Sequence, residues 1–132
     1  MKLYGGSLET LEHALDVRGQ RHTVLAGNLA NADTPGFSPV DIPFEQAMQD
    51  AARAAADADA AEASGETASA PRPLESVESD ALATAAGLDG NRVDVDRTLA
   101  ALAENGLQYT ASARAAGKEL AILRYVVSDG AG

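Results

Sequence analysis

Leu25-Ala-Gly-Asn-Leu-Ala-Asn-Ala-Asp-Thr-Pro-Gly-Phe37 is the stretch that decides how this chain folds. A helical apolar spacing runs into it from the N-terminal side, and Pro35-Gly36 ends that spacing within two residues. Thr34 precedes a proline and is pushed out of the helical region. Pro35 presets φ for the second position of a turn, and Gly36 accepts the positive φ of the third position of a type II turn. Asn31 and Asp33 are placed to bond the frayed backbone groups of the helix end, and Phe37 is the large apolar side chain available to pin the corner. The stretch holds no nucleophile–base pair, no metal-ligand spacing and no phosphate-cradling glycine run. It encodes a shape: a long helix, then a sharp corner.

Upstream of the corner, Leu8, Leu11, Leu15, Arg18, His22, Leu25, Leu29 and Ala32 alternate in steps of three and four residues, which is a heptad seam. The spacing predicts a helix over 8–32, with Ser7 as N-cap and Glu9 near the positive end of its dipole. Near the C-terminus, Val95, Leu99, Leu102, Gly106, Tyr109, Ala113, Ala116, Leu120, Leu123 and Val127 keep the same alternation. A helix over 94–128 follows, capped by Asp94, with Asp96 in its first turn and Gly130 as its stop. Gly106 costs this helix about 1 kcal/mol relative to alanine, which a close backbone approach would offset. Antiparallel pairing is the simplest arrangement. Matching Leu8 with Leu120 sets Leu29 near Leu99, His22 near Gly106 and the Arg18 guanidinium near the Tyr109 ring.

A chain of 132 residues is one domain at most. Much of its apolar fraction is alanine, and the only aromatics are Tyr4, Phe37, Phe44, Tyr109 and Tyr125. That points to an elongated helical molecule whose apolar stripe is completed by a partner. Residues 50–91 carry nine acids and two bases, so they hold −7 of the net charge of −10. Neither end offers a basic cluster, which argues against nucleic-acid binding. There is no cysteine, so disulfides and thiolate metal sites are excluded. No stretch has the apolar core of a secretory signal or the roughly 18 apolar residues of a membrane span.

The fold expected is all-α: two long terminal helices packed as a coiled-coil-like antiparallel pair. Residues 1–37 form the first helix and the turn motif, 38–48 an extended segment, 49–91 a flexible, acidic, alanine-rich insert, and 92–132 the C-terminal heptad helix. Within the insert, 51–63 is helical on propensity but has no large apolar residue to bury. Asp89-Gly90-Asn91 is a turn signal ahead of the last helix.

Catalysis and metal binding find no support. His13 and His22 are nine residues apart and face opposite sides of a helix. Asp89, Asn91, Asp94 and Asp96 lack the spacing of a calcium loop and fit caps and turns. Nine of the twenty carboxylates lie in the insert, where no pocket is expected to converge on them. The reading has no catalytic residue, no metal site and no cofactor.

Ala26-Gly-Asn-Leu-Ala-Asn-Ala-Asp-Thr-Pro-Gly-Phe37 resembles the N-terminal signature of the bacterial flagellar rod and hook proteins. The resemblance rests on the spacing of Asn28, Asn31, Thr34, Pro35, Gly36 and the aromatic Phe37. Asp41-Ile-Pro-Phe-Glu45, Gly90-Asn-Arg-Val-Asp-Val-Asp-Arg97 and Leu102-Ala-Glu-Asn-Gly-Leu-Gln-Tyr109 resemble segments of a proximal rod subunit. The resemblance covers about 7–48 and 88–130. Gly27 and Gly106 stand where larger small residues are commoner.

The resemblance implies a structural subunit, not an enzyme. Such a subunit leaves the cell through the flagellar type III export apparatus without a cleaved signal and assembles in the periplasmic rod of the basal body. Its terminal helices pack on neighbours, transmit torque and line the export channel. The partners implied are copies of itself, other rod subunits, the basal adaptor FliE and the export apparatus. The packing stripe expected is Leu8, Leu11, Leu15, Leu25 and Leu29 on the first helix, with Leu99, Leu102, Tyr109, Leu120 and Leu123 on the last. Another rod subunit of the same family, or a soluble helical adaptor or chaperone that uses its heptad face, are the competing readings. Export that depends on the flagellar apparatus separates the last from the others.

Overall fold

A computed structural model describes residues 5–65 and 74–129. Helix α1 spans Gly5–Ala30, strand β1 Val40–Asp41, helix α2 Phe44–Ser64, strand β2 Val77–Glu78 and helix α3 Val95–Asp129, with a 3-10 turn at Asp80–Leu82. The two long terminal helices run antiparallel against each other. Ser7 near the start of α1 bonds Glu119 in the last third of α3. At mid-length the Asn105 amide donates to the Arg18 carbonyl at 2.8 Å. At the far end the Asn91 amide, ahead of α3, donates to the Asn31 carbonyl at 2.9 Å. The architecture is all-α; among the described residues the β structure is a two-residue ladder pairing Val40 with Glu78 and Asp41 with Val77, and an isolated antiparallel bridge between Ala83 and Val93.

The register differs from the heptad match by up to about one turn. Arg18 lies against Asn105 and Gln108, not Tyr109. Its guanidinium sits 3.9 Å from the centroid of the Phe44 ring. Phe44, at the start of α2, takes the place expected of the Tyr109 ring. His22 is exposed, and nothing comes within 4 Å of a Cβ built on Gly106, so that glycine does not receive the imidazole. Ser7 is not an N-cap: α1 already runs from Gly5, and the Ser7 hydroxyl is taken up by Glu119. Asp94 does cap α3, its carboxylate accepting from the Arg97 N–H at 3.0 Å. Gly130 and Tyr4 lie outside the described residues.

Helix α2 begins at Phe44, inside the stretch expected to be extended to residue 48, and continues as helix to Ser64. It stops at Gly65, whose φ of +75° lets its N–H turn back to the Ala61 and Glu62 carbonyls. Its first turns, ahead of the 51–63 stretch, pack into a core cluster. Val17, Ile42 and Ala47 form the core, with Val24, Phe44, Met48 and Leu74 packed around them. Beyond Met48 the half-buried positions are Ala51, Ala55, Ala58 and Ala61, so an alanine face lies along the molecule without large side chains.

Helix α3 buries its small and polar side. Thr98 and Asn105 are fully buried, and Ala101, Leu102, Gln108, Ser112, Ala116, Glu119 and Leu123 are half-buried. The large apolar residues Val95, Leu99, Leu107, Tyr109, Leu120, Ile122, Tyr125, Val126 and Val127 are exposed. No helix among the described residues is long and apolar enough to cross a membrane.

Candidate functional site

The corner after α1 is built by three asparagines. Asn28, fully buried, pairs with the backbone of Val40: its amide donates to the Val40 carbonyl at 2.7 Å and its oxygen accepts from the Val40 N–H at 3.0 Å. This side chain takes the place of a neighbouring strand and holds the returning chain against α1. Asn31 turns back on the helix, donating to the Gly27 carbonyl at 2.9 Å, while its oxygen accepts from the Thr34 hydroxyl at 3.1 Å. Asn91 bridges the corner from sixty residues away. Its amide donates to the carbonyls of Asn31 and Thr34 at 2.9 and 2.6 Å, and its oxygen accepts from the Val93 N–H at 2.8 Å.

Between these asparagines the Thr34–Phe37 turn closes with the Phe37 N–H on the Thr34 carbonyl at 3.3 Å. Gly36 adopts φ +72°, the left-handed conformation that an L side chain resists. Its N–H donates to the Asp89 carbonyl at 2.9 Å, and Gly90 (φ +77°) stands so near that a Cβ there would lie 3.5 Å from the Gly36 Cα. The Arg92 N–H then donates to the Phe37 carbonyl at 2.9 Å. Two glycine turns thus lie back to back and lock the end of α1 to the approach of α3. Thr34, Pro35 and Gly36 are exposed on the outside of this lock, and Phe37 is half-buried.

A second cluster ties β1 and α2 to the middle of α1. Arg21 holds Asp41 in a two-pronged pair, both contacts at 2.7 Å. This hydrogen bond is the main reason that the Arg21 guanidinium is held above its ordinary pKa, against the opposing effect of burial. One turn earlier, burial pushes the Arg18 pKa down; the nearby Arg21 charge adds to this and Glu104 opposes it. The Arg18 Nε and the Asn105 Oδ1 are buried with no hydrogen-bond partner. Layers of this kind fix which helix faces meet at some cost in stability.

Of the packing residues read from the sequence, Leu25 is fully buried, and Leu8, Leu11, Leu15, Leu29, Leu102 and Leu123 are half-buried. Leu99, Tyr109 and Leu120 remain 47%, 43% and 52% exposed. Sequence reasoning did not find Asn91, Asn105 or the Arg21–Asp41 pair. The Asp89-Gly90-Asn91 turn signal was the one available pointer to Asn91.

The arrangement is a braced helical hairpin with exposed apolar residues along α3, and among the described residues no cluster of His, Cys, Asp or Glu could hold a metal ion. A comparison with protein-family models finds no match. Among curated proteins, the flagellar basal body rod protein FlgB of Escherichia coli K12 is 32% identical to this chain over 130 residues, covering 94% of each. The chain belongs to the FlgB family of flagellar basal body rod proteins. FlgB of Yersinia ruckeri is 30% identical over 131 residues, 95% of this chain and 96% of its own. FlgB of Bacillus subtilis is 26% identical over 136 residues, 98% and 99% of the two chains. Similarity to FlgB therefore runs nearly end to end. It includes the alanine-rich middle, which the motif resemblance left uncovered.

Proposed function

We propose that this chain is a structural subunit of the proximal flagellar rod, assembled by burying the outer face of α3 against neighbouring subunits. The observation that carries the reading is the exposure of large apolar residues along α3: Thr98 and Asn105 are fully buried, while Val95, Leu99, Tyr109, Leu120 and Val127 are 43% to 73% exposed. A soluble monomer gains nothing from that arrangement, because exposed apolar stripes of this length mark interaction surfaces. A helix with two seams, one internal and one external, joins a subunit hairpin to a larger helical layer.

The corner has a mechanical task in this reading. Torque passes between subunits only if each helix ends at a fixed place and angle. Asn28, Asn31 and Asn91, with the Thr34–Phe37 turn, set that angle. Packed helices in such a layer line the export channel. The neighbours are copies of the chain, other rod subunits and the adaptor FliE. The route to the periplasm is the flagellar type III apparatus, with no cleaved signal. The FlgB relatives favour this position over that of another rod subunit such as FlgC. The chain acts by packing and carries out no catalysis.

Purified basal bodies test the reading. Imaging should place this chain at the base of the rod, against the adaptor layer. A cytoplasmic complex in an export-competent cell, with none of the chain in basal bodies, contradicts it and favours the helical adaptor.

A further inference from the structure

Two glycines lie inside the long helices where packing does not require them. No atom outside the local helix backbone comes within 4 Å of a Cβ built on Gly19 of α1 or Gly106 of α3, and neither has a positive φ. An alanine would fit at both places and hold the helix more firmly. The two positions stand side by side, because the Asn105 amide donates to the Arg18 carbonyl at 2.8 Å. Each glycine carbonyl also accepts a hydroxyl from the next turn of its own helix. The Thr23 hydroxyl lies 3.4 Å from the Gly19 oxygen and the Thr110 hydroxyl 2.9 Å from the Gly106 oxygen. The Ser112 hydroxyl adds a third such bond, to the Gln108 carbonyl at 3.0 Å. Side chains that bond helix carbonyls compete with the backbone N–H groups for them and bend the helix.

The groups that meet between α1 and α3 at this level are polar: Arg18, Asn105 and Gln108. The Arg18 Nε and Asn105 Oδ1 are buried without a hydrogen-bond partner, and opening to water relieves that cost. The attachments of α1 also change here. Glu9, Thr10 and His13 line a shallow groove with Met48, Ala51 and Ala55 of α2, and Arg18 sits on the Phe44 ring. Beyond them Arg21 holds Asp41 of β1. Gly19 falls between the two attachments.

We propose that Gly19 and Gly106 form a paired hinge, at which α1 and α3 bend together and divide the hairpin into a corner half and an α2 half. The inference rests on the reading of the chain as a rod subunit: the hinge lets each half take its own angle against its neighbours in the rod. Gly117 supplies a contrast within α3. It too is a helix-interior glycine in open space. Four residues on, however, Ala121 has no polar group to place on its carbonyl, and it lies about three turns beyond the Asn105 contact.

Amide hydrogen exchange of the full chain, resolved by residue, reads local opening of this kind. The Thr23 and Thr110 N–H groups bond the Gly19 and Gly106 carbonyls within the helices, so they report the two sides of the hinge. Gly106→Ala should slow exchange about five-fold at Thr110. Because the hinge is paired, it should slow exchange at Thr23 across the interface as well. Gly117→Ala should leave both unchanged. No slowing, slowing confined to Thr110, or equal slowing by Gly117→Ala overturns the proposal. In cells, Gly19→Ala with Gly106→Ala should cut swarming several-fold while the helical signal of the purified chain is unchanged or raised. Full swarming overturns the part of the hinge in the rod. Absence of the parent chain from basal bodies removes the rod reading, and the exchange result stands apart from it.

Discussion

The side chain of Asn28 occupies the position of a β-strand beside Val40, exchanging both backbone hydrogen bonds with it at 2.7 and 3.0 Å. An amide is the one uncharged side chain group that offers a donor and an acceptor in that geometry. Asn28→Ala leaves a buried N–H and C=O without partners, each costing about 1–3 kcal/mol. The expected loss is therefore about 2–6 kcal/mol, read as a lower urea midpoint of the helical circular dichroism signal. Asn28→Asp keeps the acceptor but sets a carboxylate against the Val40 carbonyl, and should cost at least as much.

Gly36→Ala meets no atom within 4 Å of the added Cβ, so its cost is conformational. The left-handed φ of +72° makes that cost about 1–2 kcal/mol. Pro35→Ala acts mainly by loosening the unfolded chain, at about 0.4–1 kcal/mol. Thermal melts of the single variants should rank them in this order. The double variant should lose rod assembly and swarming, because the angle at which α1 ends is no longer fixed. Intact motility in the double variant would show that the corner does not set assembly.

Asn105→Leu should behave in the opposite way. Asn105 is fully buried, and its Oδ1 has no hydrogen-bond partner. Removing the orphan acceptor for an apolar side chain of similar size is neutral or stabilising. The expected result is a melting temperature equal to or above that of the parent chain. A drop comparable to Asn28→Ala would mean that the Asn105 bond to the Arg18 carbonyl carries the seam.

How much of this was legible in the sequence differs from element to element. Both long helices were, because their apolar residues keep a three–four alternation over many turns. What periodicity cannot show is whose surface an apolar face meets. The α3 stripe read as packing leaves Leu99, Tyr109 and Leu120 43% to 52% exposed. The true inner seam of Thr98, Ala101, Asn105 and Ser112 is too polar to register as a core. Helix α2 was legible as propensity alone, since alanines mark a packed face only when a partner lies close. The turn chemistry of Asn28, Asn31 and Pro35-Gly36 was visible. The far partners, Val40 and Asn91, were not, because they depend on how the chain returns.

Leu25→Ala and Leu120→Asp separate folding from assembly. Leu25 has no exposed surface, so its truncation should cost about 2–5 kcal/mol of stability. Leu120 is half exposed on the outer face, and Leu120→Asp should shift stability by about 0.5 kcal/mol or less. Swarming should nevertheless be lost with Leu120→Asp. Equal damage to stability from both would place Leu120 in the internal core.

The central claim is that the outer face of α3 is covered only in the assembled rod. Leu99→Cys, as the single cysteine of the chain, tests it by maleimide labelling of the purified monomer and of intact basal bodies. Rapid labelling of the monomer with strong protection in basal bodies is the result predicted. Equal labelling in both would contradict it, since the face would then remain open to water in the rod.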